Sequence, residues 1–353
     1  MHKLLSIFSI FFFLSACQQE TVVEKIPIKV VLVSMFEAGE DQDDRPGEFQ
    51  YWVDRLPLPE TIDFPLGYRD LRHNPETGVL GIVTGVGNTK AGVSIMALGT
   101  DPRFDLSKAY WVVAGISGVD PEDAPTGSAA WAEWIVDGDL SHEIDAREIP
   151  EDWSTGYIPL RHSKPYALPQ PPNKDVVVFR LNEGLVNWAF DLTRDIELPD
   201  NEEIRGMREQ YTGFAAATMK PKVMKGDQLA ASTYWHGALL NDWANDWVDY
   251  WTEGEGNFVT SAMEEIGTFH ALERLDAVGK VDKDRFLVLR TASNFTRQWP
   301  GITAQESLAG EKLSGKGYSA YLPSLEAAYL VGSPVIEALV AGWDEFGQVM
   351  PGK

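Results

Sequence analysis

Two short stretches carry residue types that could do chemistry. Residues 260–272 read TSAMEEIGTFHAL, and residues 284–295 read DRFLVLRTASNF. A carboxylate only accepts hydrogen bonds and has two oxygens, so Glu264 suits two adjacent hydroxyl donors such as the cis diol of a ribose. Met263 beside it is flexible and polarizable, which suits the flat apolar faces of a sugar and a base. Asn294 can both donate to and accept from the edge of a heterocycle. Each residue also has a local reading. Ser261 and Glu264 have the spacing of a capping box, with the serine on the N3 amide and the glutamate reaching back. Glu265 reads as an acidic residue at the positive end of a helix. Asn294 also tolerates turn conformations. From spacing alone both readings stay open, and Glu264 can head a helix and still present oxygens to a ligand.

The elements that would position these residues alternate. KVVLVSMF (29–36) is a β-branched run with the look of a buried strand. Residues 78–98, GVLGIVTGVGNTKAGVSIMAL, read as strand, glycine turn and small-residue helix. Residues 109–128 repeat the plan, with strand AYWVVA followed by Gly115 and Gly118 in a turn. Further strands are expected at 132–137, 175–181, 227–233 and 284–291, the last ending near Thr291 so that Ser293 and Asn294 follow it. Helices are expected at 183–195, 201–218, 236–251, 262–276 and 324–343. Such alternation predicts a three-layer α/β/α domain around a mixed, largely parallel sheet, with ligands above the carboxyl ends of strands. The acidic stretch EAGEDQDDRPGE (37–48) reads as a solvated loop, without the spacing of an EF-hand. Residues 148–173 are proline-rich and read as a surface insertion.

Composition bounds the rest. The chain has 353 residues, 44% of them hydrophobic, enough for a large core. Fifty-three acidic residues against 30 Lys and Arg give a net charge of −23, which disfavours nucleic-acid partners. Residues 1–16 have the flanks and short apolar run of an export signal. Leu14-Ser15-Ala16-Cys17 resembles the lipobox of bacterial lipoproteins, in which the cysteine is the lipidated residue. Cys17 is the only cysteine in the chain, so no disulfide is expected. The expected organisation is a leader (1–16), a lipid-anchored tether (17–27) and one domain (28–353), exported and held at the periplasmic face, with Gln18 pointing to the outer membrane by resemblance to enteric sorting patterns. No segment after the leader reads as long and apolar enough to cross a bilayer, so the lipid would be the membrane contact. Neither a metal nor another cofactor is expected, because the histidines are dispersed and no HExxH or cysteine cluster occurs. Trp243, Trp247 and Trp251 form one helical stripe, usually core or a subunit interface.

The order strand–GVGNTKAG–helix, strand–AGISG, a GDQ-headed strand, MEE and a strand ending in SN resembles the nucleoside phosphorylase/nucleosidase superfamily. AGISGVDP (114–121), EIDAREIPEDWSTGYIPL (143–160) and LVLRTASNF (287–295) resemble the purine nucleoside permease family more closely. The resemblance implies a purine nucleoside ligand, with Glu264 on the ribose hydroxyls and Met263 beside the sugar. It implies Asn294 at the purine N7 and Gly115, Ser117 and Gly118 in a turn flanking base and nucleophile. Leu229, Tyr234 and Trp235 follow GDQ and are expected to wall the base, although core packing explains the two aromatics as well. Two departures bear on chemistry. Superfamily nucleosidases carry Asp where this chain has Asn294, and an amide cannot be a general acid but can hydrogen-bond a 6-oxopurine. The first loop holds only Arg45, whereas phosphorylases clamp phosphate with early arginines, so water is favoured over phosphate. The expected activity is N-glycosidic cleavage, with Asn294 and Glu264 in the reaction; the alternative is a binding-only lipoprotein that presents nucleoside to a separate carrier. A homo-oligomer is compatible with either.

Overall fold

The computed structural model describes residues 24–172, 174–313 and 320–353, with side chains of 311–313 excluded. The leader, Cys17 and most of the tether therefore lie outside the described residues. The main sheet is built on seven strands: β1 (Val30–Ser34), β2 (Val79–Val83), β3 (Tyr110–Val119), β4 (Trp134–Asp137), β5 (Asp227–Ala230), β6 (Phe258–Ala262) and β7 (Phe286–Phe295). Their order is β4-β5-β6-β3-β1-β2, with β7 along the other side of β3. Pairings β4–β5, β5–β6, β3–β1, β1–β2 and β3–β7 are parallel, and β6–β3 is antiparallel. Shorter antiparallel strands, Leu71–Asn74, Glu60–Ile62 and Val178–Arg180, finish the edges. The expected α/β layering is present, and the sheet is more mixed than alternation alone suggests.

Four helices matter for the site: α1 (Asn88–Thr100), α2 (Ala238–Thr252), α3 (Glu265–Asp276) and α4 (Tyr321–Ala341). Helix α2 lies on β4, β5 and β6, and α4 on β3 and β7. The tryptophan stripe of α2 is core: Trp243, Trp247 and Trp251 are buried in one cluster with Trp235, Leu229 and Phe258. Helix α4 overturns one expectation, since over 21 residues it is long and apolar enough to span a bilayer by length and composition. Here its apolar face is spent on the sheet: Leu325, Ala328, Val331, Val335, Ile336 and Leu339 are all buried. The expected helix at 201–218 shortens to Glu202–Arg208, capped by Asn201, whose side chain accepts from the Ile204 amide.

Two expected turns are strand. Gly115 and Gly118 lie inside β3, which runs unbroken to Val119. Ser293 and Asn294 lie inside β7, at a register shift between Ala292 and Asn294, rather than after its end. The capping box also fails to form. Ser261 belongs to β6, the N-cap of α3 is Glu264, and no side chain caps it. Its carboxylate is engaged elsewhere.

Helices α1 and α3 meet backbone to backbone. A Cβ on Gly267 would fall 1.9 Å from the carbonyl oxygen of Asn88. Asn88 Oδ1 in turn accepts the Gly267 amide at 3.1 Å. This contact sets the start of α3 against the start of α1, and so sets Glu264 against Gly87. Gly267→Ala is expected to cost about 1–3 kcal/mol by overpacking. Gly206→Ala, in the open helix Glu202–Arg208 with nothing within 4 Å, is expected to gain up to about 1 kcal/mol from helix propensity. Urea unfolding of both variants checks this; equal effects would remove the close-contact argument.

Candidate functional site

Strand β3 explains where a site can form. On one side it pairs with β7 along nearly its whole length. On the other it pairs with β1 over Tyr110–Val113 and with β6 only at Gly118 and Val119. Among the described residues no strand lies beside the edge of β3 between those two neighbours, and backbone polar groups there need other partners. The partners are charged side chains. The Ile116 amide donates to Glu48 Oε1 at 2.7 Å, and its carbonyl accepts from Arg290 Nη1 at 2.9 Å.

Arg290 is the hub. Its Nη2 donates to Glu264 Oε2 at 2.7 Å, its Nε donates to Glu265 Oε1, and its Nη1 lies 3.7 Å from Glu48 Oε1. The guanidinium and all three carboxyls are essentially shut off from solvent. Burial works against the charge on Arg290, and Glu265, Glu264 and Glu48 outweigh it, holding the guanidinium charged. Burial also pushes Glu264 upward against the pull of Arg290. Glu48 is pushed up to about 8, by burial first and by Glu264, with Arg290 opposing. Gly115 is where the cluster comes closest to the strand. A Cβ there would meet Met35 Cε at 2.1 Å, Glu48 Oε1 at 2.5 Å and Arg290 Nη1 at 2.7 Å.

Above the cluster is a cavity of about 410 Å³, within the size range of small-molecule sites. Met263, Glu264, Ser117, Gly118, Tyr234, Trp235 and Asn294 line it, as do Glu48 and Arg290. Gly115 lies behind the wall, where its missing side chain admits Glu48 and Arg290. Leu229 does not line the cavity. It is fully buried in the tryptophan cluster of α2, because β5 turns that residue toward the helix. Trp235 satisfies both of its readings, lining the cavity and closing the same cluster.

Glu264 reaches its place through backbone amides as well as Arg290. Oε1 accepts from Gly87 at 3.0 Å and Oε2 from Met263 at 3.2 Å. Gly87 holds φ +98°, a conformation that favours glycine. A carboxylate has about four lone-pair directions. Among the described residues three protein donors meet the two oxygens, one on Oε1 and two on Oε2, which leaves room for one more on Oε1. Glu265 is not a solvent-facing helix-end charge but a fully buried partner of Arg290.

Two residues of this site were not anticipated from sequence. Glu48 closes the acidic loop, which is less free than a solvated excursion. Glu37 at its start accepts from the amides of Ala38, Gly47, Phe49 and Gln50. Asp41 accepts from Arg69 and Arg72, while residues 38–40 and 42–45 stay exposed. Glu48 is thereby turned inward, with Oε2 accepting the Met35 amide at 2.9 Å. Nothing in a run of six carboxylates marks the last as buried. Arg290 did carry a signal, being the one charge inside the otherwise uncharged run FLVLRTASNF.

The comparisons with known proteins follow this geometry. A family model described as purine nucleoside permease (NUP) matches residues 27–351. The chain belongs to the purine nucleoside permease family. A purine nucleoside permease of Candida albicans is 30% identical over 323 residues, covering 90% of this chain and 76% of that protein. A probable purine nucleoside permease of Schizosaccharomyces pombe is 29% identical over 283 residues, covering 78% and 80%. Among solved structures, the native futalosine hydrolase of Helicobacter pylori superposes with a TM-score of 0.52 at 12% identity, over 88% of this chain and 97% of that one. The 5′-methylthioadenosine/S-adenosylhomocysteine nucleosidase of the same organism gives 0.51 at 12%, over 89% and 100%. At that identity the likeness is one of fold, and it places this family member on the nucleosidase architecture.

Glu48 makes a pH prediction. Its folded value of about 8 stands above the ordinary 4.5. Between those values the folded protein holds a proton that the unfolded chain has lost, so stability is full at low pH and falls as pH rises from 4.5 to 8. Glu48→Gln cannot titrate and removes that component. Urea midpoints at pH 5 and pH 8 should fall further for the wild type than for the variant. Parallel changes would mean that Glu48 is ionised throughout.

Proposed function

We propose that this chain binds purine nucleosides, 6-oxopurines in particular, and hydrolyses their N-glycosidic bond. The observation that carries the reading is the state of Arg290. Each of its three nitrogens already donates within the protein, to Glu265, the Ile116 carbonyl and Glu264. Three buried carboxyls around one guanidinium leave no seat for phosphate, which prefers bidentate arginine. A neutral water suits the same place. Glu48 supplies the base: a carboxyl held near 8 is poised to take a proton at neutral to mildly alkaline pH. Water oxygen bonds to C1′ as the C1′–N9 bond breaks. Glu48 takes the proton from water, the base departs with the electron pair as an anion and takes a proton from solvent at nitrogen, and Glu48 then releases its own proton to solvent. Glu264 receives one ribose hydroxyl on Oε1, the position its protein donors leave open, with Met263 against the sugar. Ser117, Gly118, Tyr234, Trp235 and Asn294 enclose the base.

The second reading, binding without turnover, rests on Asn294. It stands on the wall assigned to the base and cannot protonate a leaving group. In that case the chain presents nucleoside to a separate carrier, in keeping with the family description.

Location is part of the proposal. The leader and the Leu14-Ser15-Ala16-Cys17 sequence support export and lipid attachment at Cys17, on the periplasmic side of the outer membrane. Metabolic labelling with a fatty acid should mark the wild type and not Cys17→Ser. Equal labelling, or none in either, removes the anchor.

Base release decides between turnover and binding. Inosine, guanosine and adenosine are incubated with the protein, with and without phosphate. Hydrolysis predicts free hypoxanthine and guanine without phosphate, at a rate rising with pH through about 8. Glu48→Gln should lower it about 10²-fold or more. Glu264→Ala should abolish the affinity that depends on ribose. Release only with phosphate overturns the water mechanism, and saturable binding without release selects the second reading.

A further inference from the structure

The acidic loop carries one cation, and no carboxylate of the loop pairs with it. Glu37 accepts backbone amides, Asp41 accepts from Arg69 and Arg72, and Asp44 accepts the Glu40 amide at 2.9 Å. Glu48 is turned into the cluster around Arg290. Arg45 stands among these acids, in a chain of net charge −23, yet among the described residues its guanidinium has no hydrogen bond and no ion pair. A ring holds it instead: Arg45 Cζ lies 5.4 Å from the centroid of Tyr321. Such a contact leaves the N–H edges of a guanidinium free, and those edges match a phosphate in bidentate fashion. Arg45 and Arg290 are the two cations among the residues lining the cavity, and Arg290 is already engaged.

What Arg45 can meet follows from what a bound nucleoside has already used. Its base takes the wall of Asn294 and Trp235, and its diol takes Glu264. The 5′ carbon sits on C4′, across the ring oxygen from the base and pointing away from the diol. Among the lining left over, Phe36, Arg45 and Tyr321 form one connected group. The rings of Phe36 and Tyr321 are 6.4 Å apart, and the Tyr321 hydroxyl donates to the Pro46 carbonyl at 2.8 Å, which fixes the chain next to Arg45 against the head of α4. We propose that Arg45 binds an anionic 5′ substituent, so that the site takes purine nucleoside 5′-monophosphates in preference to nucleosides. The inference rests on the nucleoside reading above and adds what the 5′ end carries. It does not return phosphate to the place of the nucleophile. Three buried carboxyls stand there, whereas Arg45 is exposed on the loop, where an ester phosphate keeps part of its water. Its worth is therefore that of a charged hydrogen bond beside solvent, not of a buried ion pair.

The test compares inosine 5′-monophosphate with inosine on the full chain, as wild type, Arg45→Gln and Lys280→Gln. The readout is kcat/KM for base release or, without turnover, Kd by calorimetry. An ionic strength of about 0.15 M, with a Debye length of about 8 Å, screens the overall charge of the chain. Arg45 is exposed and unpaired, so its substitution spares the core. Lys280→Gln removes the same charge just after α3, from an exposed residue outside the cavity lining. Wild type should prefer the monophosphate about tenfold. Arg45→Gln should bring the ratio to about one, and Lys280→Gln should leave it as in the wild type. Three results overturn the proposal: a preference that survives Arg45→Gln, an equal loss in both variants, or inorganic phosphate tightening inosine in the wild type and not in Arg45→Gln, which would assign Arg45 to free phosphate. Wild type that takes inosine as well as or better than the monophosphate overturns this inference and leaves the nucleoside reading standing, whereas wild type that binds neither removes both.

Discussion

The structure depends on neutralising Arg290 inside the sheet. A guanidinium on a fully buried strand is costly unless it is paired and hydrogen-bonded, and here Glu264, Glu265 and the Ile116 carbonyl do both. The arrangement is reciprocal. Three buried carboxyls without Arg290 would have to protonate or leave the interior, and Arg290 without them would be an unpaired interior charge. It follows that the elements carrying these residues cannot shift independently. The acidic loop, the head of α3 and strand β7 are held to one point beside β3. The place is set by backbone: among the described residues no strand neighbours the edge of β3 between β1 and β6, and Ile116 takes side-chain partners there.

Charge balance also gives the site its chemical character. One guanidinium among three carboxyls cannot neutralise them all, and Glu48 is raised by burial first and by the charge of Glu264 after it, with Arg290 opposing. A proton held on Glu48 in the empty site is one that substrate binding or pH can remove. The same balance repels anions from the floor of the cavity.

What could be read from sequence was what lies contiguously along the chain. Met263 and Glu264 are adjacent and occupy the pocket that their chemistry suggested, and the strand–helix alternation carried the layered fold. Gly115 and Gly118 were read as a turn because glycine permits one. Their actual reason is absence of a side chain, in extended backbone, where Met35 and Glu48 or Thr296 come close. That requirement comes from residues far apart in sequence. Ser261 and Glu264 have capping-box spacing, and a local rule gave way because the Glu264 carboxylate finds Arg290 and the Gly87 amide instead. Glu48 was unreadable for a related reason. Among neighbouring acids of one loop, only tertiary hydrogen bonds to Met35 and Ile116 single it out. Leu229 failed in the opposite sense: it follows the GDQ motif, yet strand alternation turns it away from the ligand and into the core.

Helix α4 separates apolarity from membrane function. It meets the length and hydropathy of a bilayer span, but its small and apolar residues match the sheet beneath it. A Cβ on Gly332 would meet the Trp52 ring at 2.6 Å, and the Ser324 carbonyl accepts from Thr291 Oγ1 on β7 at 2.8 Å. A helix shaped for lipid would have no use for such close approaches to a sheet, nor for a hydrogen bond into it. At its start, Tyr321 lines the cavity and donates to the Pro46 carbonyl at 2.8 Å, so the same helix bounds the pocket mouth beside the loop that delivers Glu48. Its apolarity is thus accounted for by the core it completes. Drawing it out into a bilayer would uncover β3 and β7 and dismantle the site that Arg290 organises.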